Sequence, residues 1–246
     1  MPKKIKTNAQ YLIRLMRYEP ELTGSWNGPA WKHINPVHLS HCRPESSDYR
    51  PATYCKLQYS SRGLYGIFKV QDNYIRCVHE TFQSDVYKDS CVEIFLQPKS
   101  ETGYFNFEFN CGGSLLATYI TDPTRVDGKI KYSHQLPPDA DQKILRFHSL
   151  PAFIEPEHEG PKTWYLEFFI PFSVMEEHVG ELDTLVNWKG NIYKCGDETS
   201  HPHWISWSVL DELNFHAPEN FGDLIFDHGE VKQYHGVHLE NAIASG

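Results

Sequence analysis

The chain has 246 residues, enough for one generous hydrophobic core and within the range of β-sandwiches that remain one domain. Its formal charge of -9 and pI near 5.8 exclude an extended phosphate-binding surface, which needs clustered Lys and Arg, so no nucleic-acid partner is expected. Hydrophobic content is ordinary at 40%, but aromatic content is high at 14%, a surplus that suits β-rich packing and flat stacking ligands.

The opening segment carries Lys3, Lys4 and Lys6 but no continuous apolar core, because Arg14 and Arg17 interrupt it. It does not read as a secretory leader, so the chain as given is expected to be cytoplasmic; a truncated terminus would instead fit a secreted or periplasmic protein. All apolar runs fall short of the roughly 20 residues of a membrane span, and no membrane partner is expected. The six cysteines, Cys42, Cys55, Cys77, Cys91, Cys111 and Cys195, include no CxxC pair. In a domain of this size they are expected as reduced, mostly buried thiols.

Period-two segments dominate the chain. Strands are expected over 12–18, 52–59, 64–71, 90–97, 104–111, 115–120, 143–147, 164–170, 187–193, 204–208 and 224–226. Breakers such as Ser61-Arg62-Gly63 and Asp122-Pro123-Thr124 separate them. Short helical turns are expected at 28–34 and 171–178, and residues 137–162, rich in Pro, Glu and Asp, read as a surface excursion. Many strands with few helices predict an all-β fold: an antiparallel β-sandwich, immunoglobulin-like or jelly-roll-like, with short helical turns. A single domain over 1–228 and a C-terminal tail over 229–246 are expected.

The most informative stretch runs from Tyr87 to Asn110, YKDSCVEIFLQPKSETGYFNFEFN. In its second strand Phe105, Phe107 and Phe109 alternate with Tyr104, Asn106, Glu108 and Asn110, which separates an apolar face from one of amides and a carboxylate. In the first, Val92, Ile94 and Leu96 alternate with Cys91, Glu93 and Phe95, so Glu93 belongs beside that polar row. A carboxylate among amides, flanked by aromatics, is what a sugar-binding face needs.

The order of GLYGIFKVQD, YKDSCVEIFLQP, GYFNFEFNCGG, TWYLEFFIPF, NIYKCGDETSHPHWISWS and NFHAPENFGDLIF resembles the family nine carbohydrate-binding modules, in particular their free-standing branch. The resemblance runs from about Leu22 to Phe226, and DSCVEIF and FHAPENFG are its most specific pieces. It implies a β-sandwich that grips a mono- or oligosaccharide between two aromatic rings without cleaving it, in the service of polysaccharide breakdown. Position by position, it implies Tyr87 and Phe215 as the stacking rings, each where xylanase-linked members carry Trp. It implies Glu93 as the hydroxyl-binding acid, Asn106 and Glu108 where those members carry Arg and Asn, and Glu212 where an Asn is expected. No cofactor is required, although the family admits structural calcium.

Other chemistries are weighed on the same residues. Glu93 and Glu108 on adjacent strands, about 5 Å apart, match the roughly 5–5.5 Å separation of a retaining glycoside hydrolase, which makes hydrolysis the alternative. Cys195, Asp197, His201, His203 and His216 fit no standard zinc spacing and read as structural or site-lining, with Lys194 and His216 bordering the pocket. Asp72, Asp85 and Asp89 lack EF-hand spacing for calcium. A haem site needs axial ligands, and neither Met16 nor Met175 stands beside a His. Trp31 and Trp204 read as core residues.

Overall fold

A computed structural model describes residues 9–228; the expected tail at 229–246 lies outside the described residues. All fourteen described strands join one hydrogen-bonded sheet that folds back on itself. One half consists of β4 (Ala52–Tyr59), β5 (Gly63–Cys77), β10 (Leu145–His148) and β11 (Ile154–Pro171), with β2 (Val37–Leu39) on β4. The other consists of β6 (Cys91–Gln97), β7 (Tyr104–Asn110), β8 (Leu115–Val126), β9 (Lys129–Gln135), β12 (Trp188–Cys195) and β14 (Gly222–Asp227). Two minor strands, β13 (Trp204–Ser206) and β3 (His41–Cys42), extend it from β12.

The halves meet through β1 (Gln10–Leu15), which runs parallel to β14 and then, at Arg14 and Leu15, parallel to β4. The sandwich is therefore antiparallel except at this seam, a departure from the expected all-antiparallel sheet. Its interior follows the alternation in the sequence. Val92, Ile94, Phe105, Phe107 and Phe109 from one half pack on Phe68, Val70, Leu166 and Phe168 from the other. The rings of Phe109 and Phe168 stack at 5.3 Å and 14° across the core.

Two proline-containing stretches depart from expectation. The strand expected to stop at residue 120 continues to Val126, with register shifts on either side of Asp122. Beyond Ile120 it pairs with β9 alone, and an edge with a bulge tolerates Pro123. The expected surface excursion instead contains α1 (Pro138–Lys143), β10 and the first half of β11. There β11 pairs only with β5, and register shifts at Ile154/His158 and Glu159/Lys162 accommodate Pro156 and Pro161.

The helical turn expected after residue 171 is α2 (Phe172–Val179). The one expected at 28–34 is a succession of tight turns instead, with Gly28 N bonded to Ser25 O, Trp31 N to Gly28 O and Ile34 N to Trp31 O. Buried Glu167 holds this segment down by accepting from Thr23 N, Gly24 N and the Trp31 indole. Trp31 is core, as expected. Five of the six cysteines are buried and all are free thiols. Among the described residues no helix is long and apolar enough to cross a membrane.

Candidate functional site

The outer face of β12, β6, β7 and β8 forms the floor of a cavity of about 630 Å³, within the roughly 300–1,000 Å³ range of small-molecule sites. Register builds this floor: Glu93 lies opposite both Glu108 and Tyr193, and Asn106 opposite Phe95 and Thr118. Because side chains alternate, every residue that sends an apolar group into the core leaves a neighbour facing the cavity. The β8–β9 hairpin raises one wall with Arg125, Lys129, Ile130 and Gln135, and the segment before β14 raises another with Asn214, Phe215 and His216.

Of the six residues expected to contact a ligand, Tyr87, Glu93, Asn106, Glu108 and Phe215 line this one cavity. Glu212 is exposed and does not line it; Asn214, two residues on, does. Phe215 is half-buried with one ring face covered by Tyr193, stacked at 4.0 Å and 9°, while the Tyr193 hydroxyl donates to its carbonyl at 3.0 Å. Tyr87 sits on a 3-10 turn, Val86–Lys88. That turn is tied to the loop after β12, because Asp197 N donates to Tyr87 O and Glu198 N to Lys88 O.

Asp89 anchors the same turn. Its buried carboxylate accepts from Val78 N at 3.1 Å, His79 N at 2.9 Å and Asn110 Nδ2 at 3.0 Å, and pairs with Arg76 at 3.1 Å. Asp72 is likewise engaged, by the Tyr49 hydroxyl and the Trp164 indole, and exposed Asp85 pairs with Lys88. The three acids considered for calcium thus serve three separate protein contacts.

The floor holds polar atoms that the protein itself does not satisfy. Asn106 Nδ2 donates to Glu108 Oε1 at 2.5 Å, leaving Asn106 Oδ1 and Glu108 Oε2 buried without a hydrogen-bond partner in the protein. Such atoms cost about 1–3 kcal/mol each unless a ligand or water reaches them. Burial pushes Glu108 up to about 7, against the lowering bond from Asn106. Burial, reinforced by Cys195 and Glu108, raises Glu93 well above the usual carboxylate range, and Asp197 rises for the same first reason. Glu108 can therefore donate as well as accept hydrogen bonds near neutrality.

Two site residues depart from the sequence reading. Trp204, expected in the core, lines the cavity, with its indole held by Asp197 at 2.7 Å. The signal was available, since Ile205 faces the core and period two turns Trp204 outward, opposite Cys195. Lys194, expected at the pocket border, is fully buried on the other face of β12, 2.7 Å from His203 Nε2. His203 and His201 are fixtures of this packing; the latter stacks on Tyr74 at 3.7 Å.

His216 does line the cavity, and its Nδ1 is 2.9 Å from the Tyr104 hydroxyl. Burial, then Arg125, lowers its pKa to about 4, whereas an unfolded imidazole titrates near 6.5. Between these values the unfolded chain binds more protons, so this group's stabilisation is complete above pH 6.5 and is lost as the pH falls towards 4. Exchanging His216→Asn, which keeps an acceptor for Tyr104, is expected to remove up to about 3 kcal/mol of that acid loss. Urea unfolding of both proteins at neutral and acid pH measures the difference, and parallel pH profiles would refute it. Glu108 acts in the opposite sense but is common to both.

A candidate carbohydrate-binding protein from Bacteroides uniformis superimposes with TM-score 0.78 and 27% identity, covering 90% of this chain and 100% of its own. A family 9 carbohydrate-binding module from Caldicellulosiruptor kristjanssonii, solved with glucose, gives TM-score 0.60 and 12% identity over 90% of this chain and 98% of its own. Its cellotriose complex gives 0.62 and 12% over 92% and 97%. At that identity these two show the β-sandwich fold alone. No curated protein matches the chain significantly. Residues 30–226, which contain the whole cavity floor and both half-buried rings, match carbohydrate-binding family 9, and the chain belongs to that family.

Proposed function

We propose that the chain is a non-catalytic saccharide-binding module whose cavity takes one or two pyranose rings. The observation that carries this reading is the pair of unsatisfied buried acceptors, Asn106 Oδ1 and Glu108 Oε2, in a floor flanked by Tyr87, Phe215 and Trp204. Sugar hydroxyls supply the missing donors, and the C–H face of a pyranose covers the aromatic rings. The glucose and cellotriose bound by the Caldicellulosiruptor module make glucose-type glycans the first class to test. Affinity is expected on the order of 10 µM to 1 mM, about -4 to -7 kcal/mol.

Hydrolysis is the alternative reading, because Glu93 and Glu108 lie opposite each other on β6 and β7; cleavage would need one acid held protonated and its partner ionised. Titration calorimetry with glucose, cellobiose and cellotriose, alongside a panel of aryl glycosides, separates the roles. Binding without chromophore release is expected, with Glu108→Gln weakening affinity by about tenfold. Turnover that disappears in Glu93→Gln would overturn the non-catalytic reading.

A further inference from the structure

We propose that Cys91, Glu93 and Cys195 form a site for a soft d10 cation, zinc foremost, at the floor of the cavity. The sheet assembles it from residues far apart in sequence. In the antiparallel β6–β12 pair Cys91 lies directly opposite Cys195, and Glu93, two residues along β6, shares their face. One ligand atom from each lies within 4.8 Å of the others, the only such group of three among the described residues. Cys195 Sγ is 3.0 Å from Glu93 Oε1 and 3.4 Å from the Tyr87 carbonyl oxygen.

The charge balance favours a cation here. All three side chains are buried, and no ion pair reaches Glu93 among the described residues. Lys194, adjacent to Cys195, points to the opposite side of β12 and is occupied by His203 and the Cys195 carbonyl. Without a counter-charge, burial favours the neutral form of all three groups. A thiophilic cation removes that penalty: two S–metal bonds and one O–metal bond form, and the two thiol protons and the Glu93 carboxyl proton leave to solvent. Two sulfurs and a carboxylate suit zinc, with bonds of about 2.3 Å to sulfur and 2.0–2.2 Å to oxygen, and are foreign to calcium. Glu93 and Cys195 line the cavity, so the fourth coordination position faces it and is open to water or a ligand oxygen. This inference is independent of which saccharide, if any, the cavity takes.

The test is titration of the fully reduced chain with cobalt(II), then displacement by zinc(II). Thiolate-to-cobalt charge-transfer absorption is expected to saturate at a single ion per chain and to vanish on zinc addition, with about three protons released per ion bound, two from the thiols and one from Glu93. Cys91→Ser and Cys195→Ser should each weaken cobalt binding on the order of a hundredfold, while Cys42→Ser, outside the site, leaves it unchanged. If a serine variant fails to fold, zinc protection of Cys91 and Cys195 from alkylation in the natural chain decides the question. Absence of the absorption with excess cobalt overturns the proposal. So does its persistence when both cysteines are serine, or alkylation of the pair unaffected by zinc.

Discussion

Exchange of Asp89 for alanine is expected to cost about 3–5 kcal/mol of stability, because it strips one acceptor from several buried donors at once. The carboxylate is fully buried and serves two backbone N–H groups, the Asn110 amide and Arg76. Removing it leaves the Arg76 charge, itself only 20% exposed, with the weaker contacts of Glu155 and Glu198 at 3.6 Å. Asp89→Asn keeps the shape and part of the acceptor set, so its loss should be smaller. Urea-unfolding midpoints of the three proteins measure this, and an alanine variant within 1 kcal/mol of the parent would contradict it. Since the Asp89 carboxylate ties the end of the turn that presents Tyr87 to Val78, His79 and Asn110, the alanine variant should bind saccharide more weakly even where it remains folded.

The second large effect is on binding. Phe215→Ala is expected to lower glycan affinity by about thirtyfold, since covering roughly 80 Å² of apolar ring and sugar surface is worth about 2 kcal/mol. Tyr87→Ala should act in the same direction. The Phe215 ring is held from behind by Tyr193, so the site keeps it oriented before a ligand arrives and little entropy is lost on binding. Calorimetric titration of each variant reads the loss, with far-UV circular dichroism as the check on folding. Unchanged affinity in both variants would remove the rings from the site.

Much of the site was legible because its floor is made by alternation. Phe105, Phe107 and Phe109 had to face the core, which left Asn106 and Glu108 outward whatever the topology, and the same rule placed Glu93 beside them. Reading the rings required the resemblance, since Tyr87 and Phe215 lie in short irregular segments with no period of their own. The β8–β9 wall was hidden because Asp122-Pro123-Thr124 reads as a turn, whereas an edge bulge absorbs it. The parallel seam at β1 and the convergence of Cys91 with Cys195 depend on long-range pairing, which no local pattern encodes.

The cavity floor admits a direct test. In crystals soaked with cellotriose, a pyranose ring is expected between Tyr87 and Phe215, with hydroxyls within hydrogen-bonding distance of Glu108 Oε2 and Asn106 Oδ1. A saccharide bound elsewhere on the molecule, or an empty cavity at saturating concentrations of every glycan that the protein binds in solution, would contradict the account.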